Sequence, residues 1–349
     1  MDLKGKTLEE WLRKRQKQDF PGGKPYVLRY DTFKDYLSRE VHPLVSTGAA
    51  LNSLIFLNDH GPGHIETVIA RASELVAAKE CNLSGYEVYL LLTAIQIHDA
   101  GNILGRNDHE KQPKKWHGQF AAHLGEDSIE QRLIFQIAEA HGGKHNGDKD
   151  TIAQLPTSIP ILGKQLRPRL IAAILRFADE LADDRTRAAR FAMDQSAIPN
   201  SSKLYHKYSQ ALHSVLVDVR GATVDLHYEI FYPDALDKLP KNGHSVYLLD
   251  EIIERTLKMH RERVYCARFM RPYINLETVN VNMSVYRDVP PETAGGGDIV
   301  KITYRLEDHG YPETPRHIWE VCPDKKNWHG GAPLSGEALV ALLEQSGQP

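Results

Sequence analysis

Four places in the sequence carry side chains of metal-ligand type. In Asn58-Asp59-His60-Gly61-Pro62-Gly63-His64 two histidines bracket the start of a helix, and Ile97-His98-Asp99-Ala100-Gly101 closes a strongly apolar run. His117 lies in Trp116-His117-Gly118 and His141 in Ala140-His141-Gly142-Gly143, while Asp179 falls on a helix face shared with Ala172 and Leu175. Of 17 histidines in 349 residues, eight lie from His60 to His145, and histidine is the commonest metal ligand. A carboxylate on an apolar face must neutralise, pair with a cation or bind a metal. Arg176, one turn before Asp179, is the alternative partner. The set is nitrogen and oxygen only. It suits a divalent transition metal, one or two ions per chain (Mn, Fe, Co, Ni or Zn), better than Mg. An aspartate between two ions can bridge them, and a hydroxide held there attacks phosphorus esters at neutral pH.

These residues need helix ends to hold them. Ile65, Val68, Ile69, Ala72 and Val76 follow helical spacing. The run Val88 to Ile97 is apolar nearly all round, which predicts a central buried helix capped by Asn82 or Ser84. Ile129–Ala140 and Leu170–Leu181 predict two more helices, with Pro156, Pro160 and Pro168 between them, and Leu8, Trp11 and Leu12 a short first one. After Pro199 the period changes to two. Strands are predicted at Val215–Val219, Val224–Ile230, Val279–Val285 and Val300–Leu306, with helices at Val246–Ala267 and Gly336–Leu343. The expected fold is mainly α: a helical bundle over 1–195 and an α+β accessory subdomain on a small antiparallel sheet over 196–292. A tail with one strand and a short helix follows over 293–349, after Gly295-Gly296-Gly297.

The order H…HD…D across roughly residues 50–185 resembles the HD-domain metal-dependent phosphohydrolases. The resemblance implies that His64, His98, Asp99 and Asp179 hold one metal, and that His117 and His141 complete a second site. The dNTP triphosphohydrolase branch is matched in part, since His98-Asp99-Ala100-Gly101-Asn102 lacks the histidine-containing tail usual there. The Gly-Tyr-Pro of the cyclic-dinucleotide branch occurs only far downstream, at 310–312, and is read as coincidence. An HD domain with an α+β appendage is also similar to hydrolases of bacterial nucleotide metabolism and phage defence.

Around this set, His60 is a proton donor, a partner that orients a ligand, or a helix cap. Lys144 and His145 are catalytic candidates that contact phosphate and relieve charge on the leaving oxygen, or lie in a solvated loop, and Lys111, Lys114 and Lys115 form a phosphate-attracting lip or a solvated face. Arg185, Arg187 and Arg190 read as partners of Glu180, Asp183 and Asp184, and Tyr205 and Tyr208 as packing residues.

The expected activity is hydrolysis of a phosphate ester or anhydride by a metal-activated hydroxide, with a (deoxy)nucleoside triphosphate as substrate. The alternatives are a nuclease or cyclic-nucleotide phosphodiesterase on the same fold, and a catalytically silent nucleotide sensor. With 43 basic and 46 acidic residues the net charge is −3, which favours a small phosphorylated substrate over nucleic acid. No run approaches the ~18 apolar residues of a membrane span, and the first twenty residues are charged throughout. Cys81, Cys266 and Cys322 form no CxxC pair. A cytoplasmic protein is expected. A homo-oligomer, built through the exposed edges of the appended sheet, is expected as well.

Overall fold

The computed structural model describes residues 3, 5–45, 61–105, 108–145, 147–183, 199–287, 297–311 and 315–346. The chain packs as two compact units. The first takes 1–54, 59–182 and 266–275, and the second takes 55–58, 183–265 and 276–349.

The first unit is a helical bundle built of α1 (Leu8–Arg13), α2 (Tyr26–Glu40), α3 (Pro62–Val76), α4 (Gly85–Ile97), α5 (His117–Leu124), α6 (Ser128–Glu139) and α7 (Pro168–Glu180). All residues of α4 are buried, as its apolar surface demands, and α1, α2, α3, α6 and α7 all pack against it. Its start is fixed by a capping box. Ser84 Oγ accepts from the Glu87 amide, and the Glu87 carboxylate accepts from the Ser84 amide. Ile65, Val68, Ile69, Ala72 and Val76 are the buried stripe of α3. That stripe lies on α7, which is buried without a break from Leu170 to Ala178. Helix α2 carries Tyr26, Tyr30, Phe33 and Leu37 inward at helical spacing. The proline-punctuated stretch before α7 forms a small hairpin, β1 (Ile159–Ile161) with β2 (Lys164–Leu166).

The second unit holds a four-stranded sheet in the order β3 (Leu212–Asp218), β4 (Thr223–Phe231), β7 (Thr278–Tyr286), β8 (Asp298–Leu306). The outer pairings are antiparallel as expected, but β4 and β7 run parallel. A parallel pair needs a long crossover. Here it comprises α9 (Tyr232–Leu236), the hairpin of β5 (Lys238–Lys241) with β6 (His244–Tyr247), and α10 (Leu248–Met270). Alternation puts Val224, Leu226, Tyr228 and Ile230 of β4, Val279, Val281, Met283 and Val285 of β7, and Ile302, Tyr304 and Leu306 of β8 inside. Thr256 on α10 bonds Tyr304 on that face at 2.8 Å. Strand β8, expected in a separate tail, pairs with β7 over nearly its whole length and is part of the same sheet. Helices α8 (Asn200–Ala211) and α11 (Gly336–Ser346) complete the unit. Among the described residues no helix is long and apolar enough to cross a membrane.

Candidate metal centre

The start of α3 and the ends of α4, α6 and α7 bring one histidine–aspartate cluster together within the first unit. His64 lies in the first turn of α3, His98 and Asp99 follow α4, His141 follows α6, and Asp179 is in the last turn of α7. Three helix C-termini therefore point their negative ends at this place, which favours a cation there.

The contacts are close. His64 Nε2 is 3.1 Å from Asp179 Oδ1 and 3.6 Å from Asp99 Oδ2. His98 Nε2 is 3.5 Å from Asp179 Oδ1 and 3.7 Å from Asp99 Oδ2. Asp179 is thus met by His64 and His98, whereas Arg176 turns to Thr151 Oγ1 at 3.0 Å. On the other side of Asp99, His141 Nε2 is 3.9 Å and His109 Nε2 3.3 Å from Oδ1. Two groups result, His64/His98/Asp99 and Asp99/His109/His141, each with ligand atoms within 4.8 Å of one another.

His109 takes the place that the sequence gives to His117. His117 is exposed at the start of α5, its ring against Phe135 at 5.2 Å, and belongs to neither group. The reason lies in the backbone between Asp99 and Trp116. Two short 3-10 segments, Ala100–Leu104 and His109–Trp116, pack on each other. Gly101 lets them close, since a Cβ there would meet the His109 carbonyl oxygen at 1.8 Å. This contact folds His109 back to Asp99. The segment has no helical periodicity and contains Pro113. The signals that were available are Gly101, two residues past Asp99, and the ligand-type pair His109-Glu110.

The tautomers are legible from the backbone. His98 Nδ1 lies 2.7 Å from Ile95 O and His141 Nδ1 2.5 Å from Ala138 O. A carbonyl only accepts, so each Nδ1 carries a proton and each ring turns its Nε2 to the cluster. That is the arrangement of metal-ligating histidines. The electrostatics agree. Burial opposes a charge on His98, yet Asp99 and Asp179 outweigh it and raise its pKa to about 9. Burial, then His98, push His141 down to about 3, keeping it neutral. Burial opposes ionisation of Asp179, but the neighbouring imidazoles of His64 and His98 hold it well below the usual carboxylate range. The carboxylates draw positive charge onto His98 in place of a cation. Among the described residues His98 Nε2 is buried with no hydrogen-bond partner of good geometry, a further fit to a metal ion.

Lys111, Lys114, Lys144 and His145 line one cavity of about 520 Å³, beside Glu110, Gly142 and Thr151. Lys111 pairs with Asp108 at 2.7 Å and Lys114 with Glu139. Lys144 makes no ion pair among the described residues. Lys115 is exposed and does not line this cavity. His60, Arg185, Arg187 and Arg190 lie outside the described residues. Tyr205 and Tyr208 pack on the Arg255 guanidinium, at 5.5 and 4.5 Å from their ring centres, as packing residues do.

Residues 53–257 match the HD-CE family. The chain belongs to the HD-CE family. The HD-CE match contains every residue of the cluster, from His64 to Asp179, and ends within α10. The HD-domain resemblance and the buried cluster together point to a metal-dependent hydrolase. Neither a curated protein nor a solved structure matches the sequence.

Proposed function

We propose that the protein is a metal-dependent phosphohydrolase acting on a (deoxy)nucleoside triphosphate. The observation that carries the reading is Asp99, which stands in both ligand groups and faces histidines on two sides. Divalent ions held there would neutralise charge on phosphoryl oxygens and lower the pKa of a bound water. The chain's own residues do the rest. His98 and His141 keep Nδ1 tied to the backbone and would present Nε2 to a metal ion. Asp99 and Asp179, ionised, are acceptors only and donate no proton. The cavity beside His109 and His141 offers lysines to a chain of phosphates, and its volume of about 520 Å³ suits a nucleotide. Lys144 is available at once, and Lys111 and Lys114 by exchanging Asp108 and Glu139 for phosphate oxygens.

The test is a panel of dNTPs, NTPs, cyclic nucleotides and single-stranded nucleic acid, each with Mn, Co, Mg or Ni, with products separated by chromatography. Release of phosphate, pyrophosphate or triphosphate from a nucleotide, abolished by chelator, is the expected result. Turnover of polymer or cyclic nucleotide alone would replace this reading with a phosphodiesterase.

A further inference from the structure

Strand β7 lies between β4 and β8, yet it carries Asn280 and Asn282 on its outer face, opposite the buried Val279, Val281 and Met283. Asparagine is disfavoured in strands, and a residue that breaks a local rule without a packing gain marks a functional place. Both asparagines face a cavity of about 560 Å³ that lies wholly within the second unit. Its floor is the outer face of the sheet and its wall is the turn from Val321 to Lys325. The Cys322 thiol fastens wall to floor by donating to the Arg305 carbonyl at 2.8 Å. Hydrogen bonding across the floor leaves a defined set of groups. Asp225 accepts from Asn280 Nδ2 at 2.7 Å and from Thr223 Oγ1 at 3.0 Å. A carboxylate only accepts, so the Asn280 amide nitrogen is turned to it and Oδ1 is left as an acceptor. Asn282, in register with Thr303 of β8, has no side-chain partner among the described residues and offers both a donor and an acceptor. Arg305 and Lys325 stand beside them, paired with the exposed carboxylates of Glu307 at 3.3 Å and Asp324 at 2.7 Å. Pairs with exposed partners are worth little and exchange readily for phosphate oxygens.

We propose that this cavity binds a nucleoside monophosphate whose base carries an exocyclic amino group. The Asn282 amide matches an edge with an amino donor beside a ring-nitrogen acceptor, as adenine and cytosine have. Asn280 Oδ1 adds a second acceptor and no donor, which disfavours a base with an oxo group at that edge. Arg305 and Lys325 take the phosphate, as charge-assisted partners of its oxygens. The volume suits one nucleotide. The site stands whether or not the chain binds metal, since no residue of the histidine–aspartate cluster takes part in it.

The experiment is calorimetric titration of the full-length chain in excess EDTA, so that no nucleotide is held through metal. The probes are AMP, IMP, CMP, UMP, adenosine and oligoadenylate. AMP should bind about tenfold or more tighter than IMP, and CMP than UMP, the two members of each pair differing at the amino group. Asn282→Ala should abolish the difference between AMP and IMP. Arg305→Gln should weaken AMP about tenfold and leave adenosine unchanged. No heat from AMP at millimolar concentration, or equal affinity for AMP and IMP in wild type, overturns the proposal. So does AMP binding that is lost in Lys144→Ala and kept in Asn282→Ala and Arg305→Gln, which assigns it to the cavity beside the metal centre. Binding of oligoadenylate that tightens with chain length overturns it in favour of single-stranded nucleic acid. Should Asn282→Ala lower the thermal melt, Arg305→Gln decides alone, because that side chain is 60% exposed. Unchanged AMP affinity in Arg305→Gln then overturns the proposal.

Discussion

His98 gives its Nδ1 proton to the carbonyl of Ile95, 2.7 Å away and one turn back on the chain. That carbonyl is among the last of α4, where no further amide can reach it, so the histidine satisfies a helix end and is oriented by it. The other ring nitrogen is left facing Asp99 and Asp179. His98→Ala should remove a ligand and leave two carboxylates facing each other without a cation. Elemental analysis should show wild type carrying transition metal and His98→Ala at least one ion per chain poorer. Equal content in the two would leave the centre without support.

His109 and His117 separate two readings of the second site. Only His109 reaches Asp99, and His117 is spent on Phe135. His109→Ala should lower metal stoichiometry by one ion per chain. His117→Ala should leave metal content unchanged and shift stability by no more than about 0.5 kcal/mol, as exposed substitutions do. The reverse pattern would restore His117 to the site.

What the sequence makes legible follows from its periodicity. The helices α3, α4, α6 and α7 carry uninterrupted apolar faces, so they could be placed, and with them the residues at their ends that the HD-domain resemblance names as ligands, His64, His98, Asp99, His141 and Asp179. His109 could not, because its position depends on the absent side chain of Gly101 rather than on any repeat. The parallel pairing of β4 with β7 is also invisible to an alternation pattern, which is the same in either direction. One local signal was present in the sequence and not used above. Asn242-Gly243, with φ of 50° and 84°, turns the β5–β6 hairpin, and this dipeptide favours such a turn because both central residues need positive φ.

Glu87 joins the start of the central helix to the segment before α7. Besides capping Ser84, it accepts from Arg167 Nε at 2.8 Å and Nη2 at 2.9 Å while itself buried. Removing one member of such a pair strands the other, at a cost of about 3–5 kcal/mol when both are buried. Arg167 keeps some solvent contact, so about 2–3 kcal/mol is expected for Glu87→Ala. Denaturant melts of both single variants and the double variant should give a clear coupling energy. Additive effects would show that the ion pair contributes nothing beyond the cap.

Lys144 tests the substrate side without touching the centre. It lines the cavity next to His145 and has no ion pair to break among the described residues. Lys144→Ala should raise KM for a triphosphate about tenfold, the loss of one charge-assisted contact, with metal content unchanged. The same KM in both proteins would remove this cavity from the substrate path.

His260 sets an acid limit on the second unit. It is fully buried on α10, with Nε2 2.9 Å from His309 Nδ1, a contact that needs one nitrogen to donate and the other to accept. Burial, then the nearby Arg263 and His309, depress its pKa to about 3, against weaker help from Asp308 and the Glu307 carbonyl. A histidine whose folded pKa lies below its unfolded value of ~6.5 binds fewer protons when folded. Stability from this group is therefore complete above pH ~6.5 and is lost as the pH falls below it, until the folded pKa is reached. Each pH unit in that window is worth about 1.4 kcal/mol, so lowering the pH from 6.5 to 5 should cost about 2 kcal/mol. Denaturant melts at a series of pH values should show this slope in wild type. In His260→Gln, which keeps a hydrogen-bonding amide but does not titrate, the slope should be shallower over the same range by that amount, whatever the change in stability at pH 7. An identical slope in the two proteins would mean that His260 is already free to take up a proton in the folded chain.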